Sequence, residues 1–327
     1  MMPAWAKAVP AILLAWACES PELPHEREEL SPAAVPEPPP LVGAALDLPP
    51  YGSAGRDKAS FDPRYARAMS ILDRNTFSQA DLDRAETLAR DLLAARPEEP
   101  LARVALARVI YKRGYASAGR FDPRALAASR QQLERALQMD PACYEAWLLS
   151  GYLHCHAGDL GAAAGVLDRL ERLRPASIDG LGLGLYLHQL RKQWRRAIEV
   201  SDLVLRTARH PKNRVDALEA RALALDGLGW TAEAEQTIRR ARELSPDCPG
   251  LLHIHAFFLA RLGRFDQAIE TARESIALAD VPDGHMALAG AFACMAGDAA
   301  ARGDERRAES YYELAAEHAL KANASGN

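Results

Sequence analysis

The chain lacks an excess of positive charge. Its 40 lysines and arginines are outnumbered by 44 acidic residues, for a formal net charge of -4, which excludes a general nucleic-acid binder that needs a cationic face to meet phosphate. Aromatics are scarce at 6% of the residues, while alanine supplies much of the 49% hydrophobic fraction. Alanine is the best helix former and lets helices approach closely, so an all-helical chain is expected. There is no CxxC, and the cysteines at 18, 143, 155, 248 and 294 show no small disulfide-framework spacing. Cys143 and Cys155 would fall on one helix about 18 Å apart, too far to bond, so free thiols are expected. The later part of the chain contains no GxGxxG, no P-loop, no GxSxG and no HExxH, which leaves a catalytic reading without residues to carry it. No enzyme activity, cofactor or metal is therefore assigned.

Long apolar runs are also missing. The run from Ala8 to Trp16 is far shorter than the roughly 20 residues a helix needs to span a bilayer, but its length suits the hydrophobic part of a signal peptide. Lys7 precedes it, Ala15-Trp16-Ala17 forms a small-x-small cleavage pattern, and Cys18 follows at once. This stretch resembles a bacterial lipoprotein signal, with Ala15 where such signals usually carry leucine. The resemblance implies a signal peptide over 1–17, lipidation at Cys18, and a location in the cell envelope, lipid-anchored to a bacterial membrane. Secretion to the periplasm after cleavage at Ala17 and an uncleaved leader are the alternatives. Unpaired cysteines weigh slightly against an oxidising compartment. Residues 18–62 are expected to form a disordered tether, because nine prolines and a run of glutamates within residues 19–50 leave little apolar surface to bury.

What is abundant after residue 62 is punctuation. Glycines at 114, 158, 229, 263 and 303, with Lys192 in the remaining slot, are spaced by 44, 34, 37, 34 and 40 residues. Pro97, Pro141 and Pro175 are spaced by 44 and 34, and Pro246 falls 34 residues before Asp280. Two ladders sharing a 34-residue base period predict stacked helix-turn-helix units. In each unit glycine supplies the left-handed residue that ends the first helix, and proline stops the second.

Between Pro141 and Pro175 the unit reads Tyr144, Trp147, Gly151, His154, Gly158, Ala163, Leu167 and Leu170, and the units containing Leu218, Ala222, Gly229, Ala234 and Leu252, Ala256, Gly263, Ala268 keep its register. These residues resemble tetratricopeptide repeats. The resemblance implies an all-α, right-handed solenoid of about seven repeats over 63–321, with units at 63–97, 98–141, 142–175, 176–212, 213–246, 247–280 and 281–321. No strand is expected, and residues 322–327 are expected to be a disordered tail. The second unit's excess places a longer loop at 115–123, and the last unit's excess lengthens its first helix.

In such solenoids the first helices line a concave groove. That mapping brings forward Arg108, Tyr111, Leu148, Tyr152, Tyr186, Glu219 and Phe257 as the partner-binding residues, along with positions such as Val104, Glu145, Cys155, His156, Asp179, Gly182, Asp226 and Arg261. The lysine and asparagine positions of the chaperone-binding carboxylate clamp hold residues such as Val104, Leu148 and Glu219 instead. His154-Cys155-His156 looks like a metal triplet, yet neighbouring helix residues point about 100° apart and cannot converge on one ion. His154 and His188 occupy a slot expected to pack between helices, and Trp147 and Trp194 are read as packing residues. The expected function is a protein-protein interaction scaffold that binds a protein or peptide segment and helps assemble an envelope complex, with no nucleic-acid partner. A secreted or cytoplasmic accessory that recruits substrates to an enzyme is the alternative.

Overall fold

The computed structural model describes residues 62–73, 79–117, 120–280 and 282–324. Cys18, the signal segment and almost all of the tether lie outside these residues. The described residues form fourteen helices in seven consecutive pairs: α1 Pro63–Leu72 with α2 Gln79–Ala95, α3 Pro100–Arg113 with α4 Pro123–Met139, α5 Tyr144–His156 with α6 Leu160–Leu173, α7 Ile178–Leu190 with α8 Trp194–Thr207, α9 Pro211–Gly227 with α10 Thr231–Leu244, α11 Pro249–Arg261 with α12 Phe265–Leu278, and α13 Pro282–Ala301 with α14 Glu305–Ala324. The all-α repeat architecture read from the sequence is the observed one. Helix α14 runs to Ala324, so residues 322–324, expected in a disordered tail, are helical instead, and residues 325–327 lie outside the described residues. Among the described residues no helix is long and apolar enough to cross a membrane.

The punctuation acts as its chemistry requires. Gly158, Gly229, Gly263 and Gly303 have φ between 73° and 82°, and Lys192 takes the same left-handed turn at 54°. Gly114 does not: its φ is -76°, and it is needed because a Cβ there would lie 2.4 Å from the Cβ of Ala125. The extra residues after it form a short antiparallel ladder, β1 Tyr115–Ser117 with β2 Arg120–Phe121, where an irregular loop without strand was expected. The amide of Asp122 donates to Gly114 O at 2.7 Å and closes its base.

Pro97, Pro141, Pro175 and Pro246 each stand just past the end of a second helix, where a residue without an N–H costs nothing to the helical ladder. Proline also opens helices. Asp62-Pro63-Arg64 and Asp122-Pro123-Arg124 start α1 and α4 in one way, the aspartate accepting the arginine amide at 2.9 Å while proline fills the first helical position.

The chain divides into two compact bodies, one ending at Arg214 and the other beginning at Val215, within α9. In the first body α1, α3, α5 and α7 pack on one another in order, and each second helix lies against the first helices beside it. The second helices bury a single stripe, such as Leu82, Ala85, Ala89 and Leu92 on α2 or Leu126, Ser129, Leu133 and Ala136 on α4. The buried hydroxyl of Ser129 is satisfied by donating to Ala107 O at 2.8 Å. The first helices are buried on most sides, as Leu101, Ala102, Val104, Ala105, Ala107 and Val109 show on α3. Close approach needs small residues: a Cβ on Gly151 of α5 would meet Leu183 of α7 at 2.4 Å. In the second body α11 lies against α10, α12 and α13, and the long pair α13–α14 is rich in alanine, with Ala287, Ala289, Ala291, Ala293 and Ala296 buried on one helix.

Candidate functional site

One face of α3, α5 and α7 carries the mapped residues at the helical spacing that keeps them together. These are Arg108 and Tyr111 on α3, then Glu145, Leu148, Tyr152 and His156 on α5, then Asp179, Gly182 and Tyr186 on α7. Leu148, Tyr152 and Tyr186 are half-buried against the cluster of Tyr144, Val166, Leu170, Leu183 and Leu187. Tyr111 and Phe121 are half-buried against the preceding cluster, which contains Leu101, Leu126, Leu133 and Leu153. Each ring is thus fixed from behind by a repeat core, with part of it left open.

At one end the rings converge on His156. Its Nε2 lies 2.9 Å from the Tyr111 hydroxyl and its Nδ1 lies 3.2 Å from the Tyr186 hydroxyl. A neutral imidazole can donate to one phenol and accept from the other, so both nitrogens are satisfied. Phe121, delivered by the hairpin, stacks on Tyr111 at 4.6 Å with planes 8° apart and sits 4.3 Å from the His156 ring. Tyr152 and Tyr186 lie 6.0 Å apart. Burial raises the Tyr111 phenol well above its ordinary value and pushes Tyr186 up to about 12, which keeps both hydroxyls protonated as neutral hydrogen-bonding groups.

The other end is charged. Arg108 pairs with Asp73, and Arg174 pairs with Glu145 at 3.3 Å while lying over the Tyr144 ring at 4.2 Å. The Tyr144 hydroxyl bonds to Ser177 Oγ, which also accepts the Gly180 amide at 3.1 Å and caps α7. In the first turn of that helix sits Asp179, 6% exposed and without a hydrogen bond or ion pair among the described residues. Burial first, and then the Glu145 and Asp73 carboxylates, push its carboxyl up to about 7 against the opposing pull of Arg174 and Arg108.

Five of the residues brought forward from the sequence, Arg108, Tyr111, Leu148, Tyr152 and Tyr186, therefore share one face of the first body. Glu219 and Phe257 belong to the second body. There Glu219 is half-buried on α9, and the Arg261 guanidinium approaches the Phe257 ring at 5.8 Å. Other mapped positions serve the interior. Val104 and Cys155 are buried, and burial holds the Cys155 thiol up at about 11, the state of an inert thiol. Asp226 is bound at 2.7 Å to both Thr231 Oγ1 and Arg261. The four cysteines of the described residues are free thiols. The histidine triplet disperses: His154 faces Asp159 at 3.7 Å, Cys155 enters the core and His156 joins the rings. His188 bonds to Gln193 Oε1 at 2.8 Å and ties down its own turn, and Trp147 donates to Pro141 O at 2.9 Å. Among the described residues no group of three or more histidines, cysteines and carboxylates could hold a metal.

Phe121 was missed from the sequence because it lies in the insert between helices. Its one signal is an aromatic residue placed where an exposed loop would carry polar ones.

A tetratricopeptide repeat family model matches residues 124–178. A comparison with curated proteins finds no match. Solved structures are similar in fold at low identity. The APC/C hetero-tetramer Cut9–Hcn1 aligns over 79% of this chain with 13% identity and a TM-score of 0.57, and this chain spans only 50% of that one. PilW, a widely conserved type IV pilus biogenesis factor, aligns over 65% of this chain and 90% of its own at 18% identity and a TM-score of 0.51. The human IFIT1 dimer solved with PPP-AAAA aligns over 77% of this chain and 72% of its own at 12% identity and a TM-score of 0.54.

Proposed function

Taking as premise that this chain is a tetratricopeptide-repeat protein, we propose that it is a non-catalytic scaffold whose α3–α5–α7 face binds an extended segment of a protein partner. We further propose that Cys18 carries a lipid anchor and holds the scaffold at a bacterial envelope membrane, where it helps assemble an envelope complex. The observation that carries the binding reading is the row of half-buried rings, Tyr111, His156, Tyr152 and Tyr186, open on one face. Their positions are fixed in advance by the cores behind them and, for Tyr111 and Tyr186, by bonds to His156, so little freedom is lost when a partner covers them. The carboxylates at the charged end disfavour phosphate and favour a protein partner. The envelope reading is supported by Ala15-Trp16-Ala17-Cys18 and, at the level of fold alone, by the likeness to a pilus biogenesis factor.

The binding reading is tested with the doubly substituted chain Tyr152→Ala, Tyr186→Ala. Capture of a partner from solubilised membranes should fall by about tenfold or more with unchanged far-ultraviolet circular dichroism; unchanged capture sinks the reading. For the anchor, Cys18→Ser should move the protein from the membrane fraction to the soluble one. A mature protein that retains Met1 would rule the anchor out.

A further inference from the structure

Five charged groups gather at the Asp179 end of the ring-lined face: the carboxylates Asp73, Glu145 and Asp179, and the guanidiniums Arg108 and Arg174. Arg108 pairs with Asp73, and Arg174 pairs with Glu145. Asp179 is the remainder, a carboxylate 6% exposed without a partner. A buried carboxylate left alone costs far more than one that is paired, and chains bury such groups with a partner supplied from somewhere. Its position gives access from the face: Gly182 follows one turn later and Tyr186 a turn after that. A Cβ on Gly182 would stand 3.5 Å from the Tyr152 hydroxyl and meet nothing else within 4 Å, so between Asp179 and the rings the helix surface carries no side chain.

We propose that Asp179 is the receptor for a cationic side chain, lysine or arginine, of the bound segment, which lies about 5–10 Å, one to two turns of α7, from an apolar or aromatic residue that lies on Tyr152 and Tyr186. The inference rests on the binding reading above and specifies the chemistry of its partner. The incoming cation completes a third ion pair beside the two already formed. Without the cation, the burial of Asp179 and the carboxylates of Glu145 and Asp73 favour its protonated form against Arg174 and Arg108. Binding therefore expels a proton from Asp179 near neutral pH and tightens as pH rises through about 7.

The test uses the full chain and a positional peptide library with aromatic residues fixed at one site and lysine, arginine, glutamine, methionine or glutamate fixed at a second. The lysine or arginine pools should bind about tenfold or more tighter than the methionine and glutamate pools, with the preference growing between pH 6 and pH 8. Asp179→Asn, which keeps the side-chain shape and removes the buried charge, should abolish both the preference and its pH dependence while leaving the aromatic requirement. Pools captured through Tyr152 and Tyr186 without preference for a cation, or with the preference intact in Asp179→Asn, overturn the Asp179 proposal and leave the groove reading standing. Preference for glutamate also overturns the proposal. Binding of no pool, or binding indifferent to Tyr152→Ala, Tyr186→Ala, overturns both.

Discussion

In the body that begins at Val215, Asp226 and Glu235 are 8% and 5% exposed, as deeply placed as Asp179 in the body that ends at Arg214. Their surroundings differ in kind. Asp226 accepts from Thr231 and Arg261, and Glu235 accepts from the Nε2 of His255 and from Arg239, each at 3.1 Å. Arg242 donates to the other nitrogen of that histidine at 2.8 Å and pairs with Glu274, so the network closes on itself. The second body answers its buried acids from its own chain, and the first leaves one unanswered on a face lined with rings. Burial alone does not tell these acids apart; the inventory of their partners does.

The largest effect that sharpens this contrast comes from removing one charge in each body. Arg261→Ala leaves the buried Asp226 charge with only the Thr231 hydroxyl and should lower stability by about 3 kcal/mol. Asp179→Asn strands nothing and should leave stability at pH 8 unchanged or raised by about 1 kcal/mol, because it removes an uncompensated charge. Urea unfolding of the full chain measures both, and equal losses would break the comparison.

A smaller effect is the pH dependence, where the two acids' settings give opposite signs. Burial lowers the pKa of His255, with Arg242 adding to it and Glu235 opposing. Its neutral form therefore stabilises the fold fully above about pH 6.5, and that contribution is lost as pH falls through the lowered folded value. Asp179, raised to about 7 from 3.8, works the other way: protonated, it stabilises the fold below its unfolded value, and the contribution is lost as pH rises through about 7. Melting temperatures followed from pH 5 to pH 8 should lose a rising component in His255→Gln and a falling one in Asp179→Asn.

The smallest effect concerns the shared left-handed slot, filled by Lys192 in the first body and Gly263 in the second. Lys192→Gly should stabilise by up to about 1 kcal/mol and Gly263→Ala should destabilise by a similar amount. A thermal midpoint that moves the same way in both would show that something other than backbone strain governs the slot.

The helix pairs could be read from the sequence because glycine and proline act locally. A residue that must turn left-handed, or that cannot donate, marks a boundary wherever the chain goes next. Gly114 shows where that logic misleads, since its reason is the approach of Ala125 and no left-handed turn. That five of the mapped residues would share a face was recoverable because position within a repeat fixes the face. What separates Asp179 from Asp226 was not recoverable: both occupy mapped positions on first helices, and only the folded chain shows that Arg261 reaches one while Arg108 and Arg174 are already taken near the other.

The hairpin at Tyr115–Phe121 has a consequence for how this surface can change. Phe121 comes from a segment that belongs to neither helix of its pair, yet it plates Tyr111 and His156. The spacing of the repeats is written in their turns and helix ends, while one edge of the ring-lined face is written in a short interposed module anchored at Gly114 and Asp122. The two stretches can drift independently, so exchanging the module alone would change the rings this face presents without asking any helix to move.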